Sequence, residues 1–117
     1  MLYCDLHGHS RRKNVFMYGN SNSDSPDETK LFPFIMSKLC PFFSYGYSRF
    51  AVQRHKENTA RITMWRELRV PNVFTLDASF CGPNTVRSTS LLISLQGEFE
   101  GQHFNADHFK SVGKYLC

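Results

Sequence analysis

Residues 3–20 read Tyr3-Cys4-Asp5-Leu6-His7-Gly8-His9-Ser10-Arg11-Arg12-Lys13-Asn14-Val15-Phe16-Met17-Tyr18-Gly19-Asn20. The opening residues alternate, so an extended strand places Asp5, His7 and His9 on one face. Gly8, between the histidines, leaves the backbone open to a close approach by another group. Residues 10–14 are polar and basic, and residues 15–18 form a second short apolar run that stops at Gly19. Polar groups gathered at the end of a strand point to a site more than to a core. Spacing alone supplies only part of a zinc shell, which needs three or four ligands. The same histidines also read as surface or hydrogen-bonded side chains.

Bulk properties bound the rest. A chain of 117 residues with 41% hydrophobic content and 11 phenylalanines is of single-domain size and can support a core, so residues 1–117 are treated as one unit. No stretch approaches the roughly 20 apolar residues of a membrane helix, and no basic region followed by a long apolar run marks a secretory signal. Cys4, Cys40, Cys81 and Cys117 are far apart with no C-x-x-C pair. They read as buried free thiols in a reducing compartment, so a cytoplasmic location is expected. The formal net charge is +4, with basic residues at 11–13 and again at Arg49, Arg54, Lys56, Arg61, Arg66 and Arg69. Such a field draws in acidic ligands. No recognition motif accompanies it, so nucleic acid is not the expected partner.

Along the chain, residues 21–27 form a polar loop. Ser25-Pro26-Asp27-Glu28 fits a capping box that opens a helix running to about Cys40. Leu31, Phe34, Ile35 and Leu39 share one side of that helix; Pro33 distorts its start and Pro41 closes it. Residues 42–47 read as a buried aromatic connection, and Phe50 and Val52 alternate as a strand. Thr59 is a candidate N-cap for a short helix carrying Ala60, Met64, Trp65 and Leu68, which Pro71 ends. Residues 73–79 alternate as a strand, with Phe74, Leu76 and Ala78 on one face and Val73, Thr75, Asp77 and Ser79 on the other. Gly82-Pro83-Asn84 breaks it, and residues 85–102 read as a loop or insertion. Asn105 caps a last helix in which Phe104 and Phe109 form a hydrophobic staple and Val112 and Leu116 extend the apolar side. The order strand, helix, strand, helix, strand, helix predicts an α/β fold with helices flanking a sheet.

The wording of several stretches goes further than their spacing. Residues 5–20, D-L-H-G-H-S-R-R-K-N-V-F-M-Y-G-N, resemble the strand that carries the third zinc ligand in the cytosolic carboxypeptidases, a branch of the zinc metallocarboxypeptidases. T-A-R-I-T-M-W-R-E-L at 59–68 and N-V-F-T-L-D-A-S-F-C-G at 72–82 support the match. Residues 103–117, H-F-N-A-D-H-F-K-S-V-G-K-Y-L-C, look like the helix that follows the catalytic strand. The resemblance implies the C-terminal half of a mixed eight-stranded catalytic domain, a fragment truncated at both ends with an exposed sheet edge. It implies zinc as cofactor and hydrolysis of C-terminal amino acids. Glutamate from acidic or polyglutamylated tails such as those of tubulin is the expected substrate, with no nucleic-acid or membrane partner. The oligomeric state is left open.

Such a peptidase needs a metal with an open position, a carboxylate to take a proton from water, and a cation for the oxyanion. By resemblance His7 is the zinc ligand of this half. The H-x-x-E ligands lie upstream in the family, as do the arginine and asparagine that hold the terminal carboxylate, and no H-x-x-E occurs here. Asp77 stands where the family pattern T-L-E-A-S-F has its general-base glutamate. The carboxylate is kept but its reach is one methylene shorter, about 1.5 Å, against a proton-transfer distance of about 2.6–3.2 Å. The competing reading is a structural acid. Arg61 falls where the family places the base of the side-chain specificity pocket, and an arginine there pairs with an acidic side chain. Against this stands a plain surface arginine in a first helical turn. His9 reads as a structural or supporting residue and Trp65 and Met64 as core. Missing ligands and the shortened acid also admit an inactive pseudoenzyme or acidic-tail-binding module.

Overall fold

The strand Asn72–Ser79 (β3) is the spine of the structure, because among the described residues it is the strand with a full strand paired on each side. In the computed structural model, residues 1–21, 25–84 and 103–117 are described, with the backbone only at His55. Leu2–His9 (β1) pairs with β3 in parallel, and Val15–Tyr18 (β2) pairs with its other edge antiparallel, giving a mixed sheet of order β1-β3-β2. Among the described residues three α-helices accompany it: Glu28–Leu39 (α1), Ala60–Glu67 (α2) and Ala106–Leu116 (α3).

Alternation along β3 divides the sheet into two faces. Phe74 and Leu76 join Val15, Met17, Met36, Cys40, Phe42, Phe43 and Val112 in the core, so α1, α3 and the aromatic connection lie on that side. Of the two faces read from the alternation of β3, the one carrying Phe74 and Leu76 is therefore the core face. Phe16, Ile62, Val70 and Val73 are buried outside that cluster, and α2 packs against β3 and β1. Burial on both faces leaves only Asn72, Thr75 and Ala78 of β3 partly exposed.

The expected strand at Phe50 and Val52 is not formed. Residues 42–50 instead run along the outer edge of β2 through isolated bridges Val15 to Phe43 and Tyr18 to Arg49. The amide of Val15 donates to Phe42 O (2.9 Å), that of Gly19 to Arg49 O (2.9 Å), and that of Met17 to Ser48 Oγ (3.1 Å). A one-turn 3₁₀ segment at Tyr45–Tyr47 interrupts the pairing, which is why no regular strand develops.

The helix expectations fare unevenly. Asn105 caps α3 by accepting from the amides of Asp107 and His108 (3.0 Å each), and His108 Nδ1 accepts from the Asn105 amide. Phe104 and Phe109 close the staple with ring centroids 5.5 Å apart. Thr59 precedes α2, but its hydroxyl donates to Lys56 O rather than capping. At α1 the capping box fails: Asp27 is the cap residue, in helical conformation and with no side-chain cap bond, and Pro26 lies in a turn. The apolar side of α1 faces outward. Leu31, Phe34, Ile35 and Leu39 are exposed, whereas Thr29, Pro33, Met36 and Ser37 are buried. Pro33 removes an amide donor but fills the core. In α2 the buried pair is Arg61 and Ile62, with Met64 and Trp65 half-buried and Leu68 exposed. All four cysteines are free, but Cys81 and Cys117 are exposed. Burial pushes the thiols of Cys4 and Cys40 up to about 11. The expectation for residues 85–102 lies outside the described residues.

Candidate functional site

The face opposite the core collects the alternate residues of all three strands. Asp5, His7 and His9 come from β1, Thr75, Asp77 and Ser79 from β3, and Phe16 and Tyr18 from β2. Register decides who meets whom. His7 is the partner of Asp77 across the parallel pair, His9 of Ser79, and Phe16 of Asp77 from the other side. Asp77 thus sits between a histidine strand and an aromatic strand.

The two histidines have different surroundings. His7 is 54% exposed and its Nε2 lies 2.9 Å from Asp5 Oδ2 on the same strand. His9 is more enclosed: its Nδ1 lies 3.3 Å from Asp77 Oδ2, and its ring meets Phe16 edge-on at 5.1 Å. Its Nε2 is buried and has no hydrogen-bond partner among the described residues. Gly8, which faces the other side of β1, permits a separate close approach. A Cβ there would come within 2.3 Å of the Phe80 ring, so the close approach expected of this glycine is realised by Phe80.

Asp77 is only 6% exposed, and burial pushes its carboxyl above the ordinary carboxylate range. The positive field of His9 is the largest opposing influence, followed by His7, Lys56 and Arg12. Both of the last two cations are held on aromatic rings. Lys56 Nζ lies 4.0 Å from the Tyr18 centroid; the Arg12 guanidinium lies 5.6 Å from Phe16 and 6.0 Å from Tyr47, donating to Tyr47 O at 3.0 Å. Among the described residues neither has a carboxylate partner.

Arg61, the second residue of α2, is 3% exposed and not a surface arginine. Its guanidinium donates to the carbonyl of Gly19 and to the side-chain oxygen of Asn20, beyond the end of β2. Burial lowers its pKa, with Tyr18 opposing. Among the described residues no carboxylate neutralises it.

Two residues that organise this region escaped the sequence reading. Asn20, almost fully buried, is the polar partner of Arg61. Asn14 has a left-handed backbone (φ 65°), and its side-chain oxygen accepts from the Asn84 amide at 3.0 Å while its own amide donates to Gly82 O at 3.1 Å. It ties the β1–β2 connection to the exit of β3. The available signal was an asparagine between a basic run and an apolar one, the residue type that tolerates this conformation best after glycine.

No three His, Cys, Asp or Glu side chains among the described residues converge as a metal requires. What they fit is one position of a shared metal site: His7 offers an accessible imidazole, and Asp5 at one ring nitrogen is the kind of partner that fixes the orientation of a metal-binding histidine.

Comparison with known proteins follows the same lines. No family model matches the chain. Over its whole length it is 42% identical to cytosolic carboxypeptidase 3 of Mus musculus, 39% to that of Bos taurus and 40% to cytosolic carboxypeptidase 2 of Xenopus tropicalis. It spans about 11% of each of these relatives. A crystal structure of a metallo-carboxypeptidase from Burkholderia cenocepacia superposes with a TM-score of 0.68 at 15% identity, over 98% of this chain and 28% of that one. That likeness establishes the fold. By sequence over all of its 117 residues, the chain is a relative of the cytosolic carboxypeptidases, corresponding to a limited stretch of them.

Proposed function

We propose that the protein containing this chain is a zinc metallocarboxypeptidase of the cytoplasm that removes C-terminal glutamate from acidic or polyglutamylated tails, tubulin-like tails among them. The observation that carries the reading is the register pairing of His7 with Asp77, which sets an imidazole and a carboxylate side by side on one face. In this reading His7 is one zinc ligand, and the remaining ligands come from elsewhere in the longer protein. Bound zinc would supply a Lewis acid and a water of lowered pKa.

The chain's own residues then have separate tasks. Asp77 takes the proton of the attacking water and returns it to the leaving amine; its raised pKa favours that exchange near neutral pH. Arg61 receives the acidic side chain of the departing residue, since its fork has donors beyond the two bonds to Gly19 and Asn20. Arg12 and Lys56, uncompensated among the described residues, favour an acidic chain lying across the same face.

The shortened acid favours a second reading, a pseudoenzyme that binds acidic tails without cutting them. The longest natural form of the protein is assayed for glutamate release from an acidic peptide, with and without a zinc chelator, beside Asp77→Glu. Chelator-sensitive release by the natural protein supports the enzyme. Release by the variant alone means that the short carboxylate has switched the site off. Tail binding by both with no release leaves the binding module.

A further inference from the structure

We propose that His9 is a positioning residue that fixes where the Asp77 carboxylate points. The kinetic consequence rests on the carboxypeptidase reading, whereas the pairing itself does not.

An aspartate carboxylate turns readily about its last torsion, because rotation about such a bond has a broad minimum. It is defined only if something holds it. On the β2 side, the register partner of Asp77 is Phe16, which offers no donor. On the β1 side, the partner is His7, whose Nε2 is engaged by Asp5. His9 is left. It stands two residue pairs beyond Asp77 on the same face, opposite Ser79, and its Nδ1 reaches diagonally to Asp77 Oδ2 at 3.3 Å.

The ring of His9 is itself held on several sides. Phe16 meets it edge-on at 5.1 Å, and the backbone beneath is tied by the Phe80 amide donating to His9 O at 2.9 Å. Nε2 is sealed without a hydrogen-bond partner among the described residues. Among the described residues, the 3.3 Å ion-pair contact to Asp77 is the polar contact this imidazole makes. Because Asp77 is a methylene shorter than glutamate, its reach leaves little slack, and a misplacement of about 1 Å in a reacting group costs on the order of a hundredfold in rate. Fixing the carboxylate is thus a larger demand here than it would be for a longer acid.

Two substitutions in the full natural protein test this. His9→Phe keeps a ring against Phe16 but removes Nδ1; His9→Asn puts an amide nitrogen near where Nδ1 stands. The expected result is a kcat for glutamate release lowered about tenfold or more in His9→Phe, with KM within about twofold, and most of kcat recovered in His9→Asn. Equal kcat in all three proteins overturns the proposal, as does an equal loss in both variants or a loss confined to KM. If the natural protein releases no glutamate, the carboxypeptidase reading fails and the pairing is read from melting temperatures. His9→Phe should then melt below His9→Asn, and this difference should vanish or reverse in an Asp77→Leu background. Persistence of the same difference without the carboxylate overturns the proposal.

Discussion

His7 and Asp77 leave neighbouring parallel strands at the same level and on the same face, so a half-exposed imidazole stands one strand spacing from a buried carboxylate. The histidine is open to a ligand, while the acid beside it is largely taken out of water.

That burial has a cost with a definite sign. In the unfolded chain Asp77 titrates near 3.9; in the fold, burial raises it. Between the two values the folded state holds more protons, so stability falls as pH rises through that window. Asp77→Asn removes the ionisation and keeps the shape. The variant should melt higher than the natural protein at pH 7, and the gap should close below about pH 4. The same change should lower kcat for glutamate release by about 10²–10⁴-fold. Melting curves across pH, read beside the rate, check both halves; a variant less stable at pH 7 would contradict the sign.

Arg61 reaches the backbone carbonyl of Gly19 and the side-chain oxygen of Asn20 through one guanidinium nitrogen, Nη1, and a lysine side chain ends one bond short of that atom. Arg61→Lys should cost about 1–3 kcal/mol, the range for leaving a buried acceptor unpaired. It should also lower kcat/KM for glutamate more than for a neutral terminal residue, as a specificity role requires. Chemical denaturation and a two-substrate comparison measure the two effects. An equal loss on both substrates would leave Arg61 a purely structural group.

Asn14 combines a left-handed backbone with a buried side chain bonded to the Asn84 amide. Asn14→Ala loses the bond and strains the backbone, so about 2–4 kcal/mol is expected; Asn14→Gly relieves the strain and should cost roughly 1–2 kcal/mol less. Urea unfolding of both variants separates the contributions. Equal losses would mean that the backbone conformation is unimportant.

Much of this architecture was legible in the sequence, and the residues show why. β1 and β3 were readable because alternation is a local signal that the sheet merely obeys: Phe74 and Leu76 go to one side, Thr75 and Asp77 to the other. Asn105 and its staple were readable because a cap is built from residues within one turn. What escaped depends on distant partners. The edge pairing of residues 42–50 exists because β2 offers a free row of hydrogen-bonding groups, which no local pattern near Phe50 records. The site divides in the same way. His7, Asp77 and Arg61 stood out through resemblance, but the burial of Arg61 and its bond to Asn20, forty-one residues earlier, could only come from the fold.

Helix α1 gives the sharpest disagreement between pattern and structure. Its strongest apolar stripe, Leu31, Phe34, Ile35 and Leu39, faces outward, with Leu31 59% and Leu39 55% exposed, while Met36 is buried in the core. Amphipathic reading assigns the richest face to the interior; here Pro33, Met36 and Cys40 fill the space against the sheet instead. The two alternatives differ in what substitutions do to the 117-residue chain. Leu31→Glu should change unfolding free energy by no more than about 0.5 kcal/mol, as for any exposed site, whereas Met36→Ala should cost about 2–5 kcal/mol through the cavity it leaves. Denaturant titration of both variants decides the matter. A large loss at Leu31 beside a small one at Met36 would mean that the helix is turned the other way about its axis.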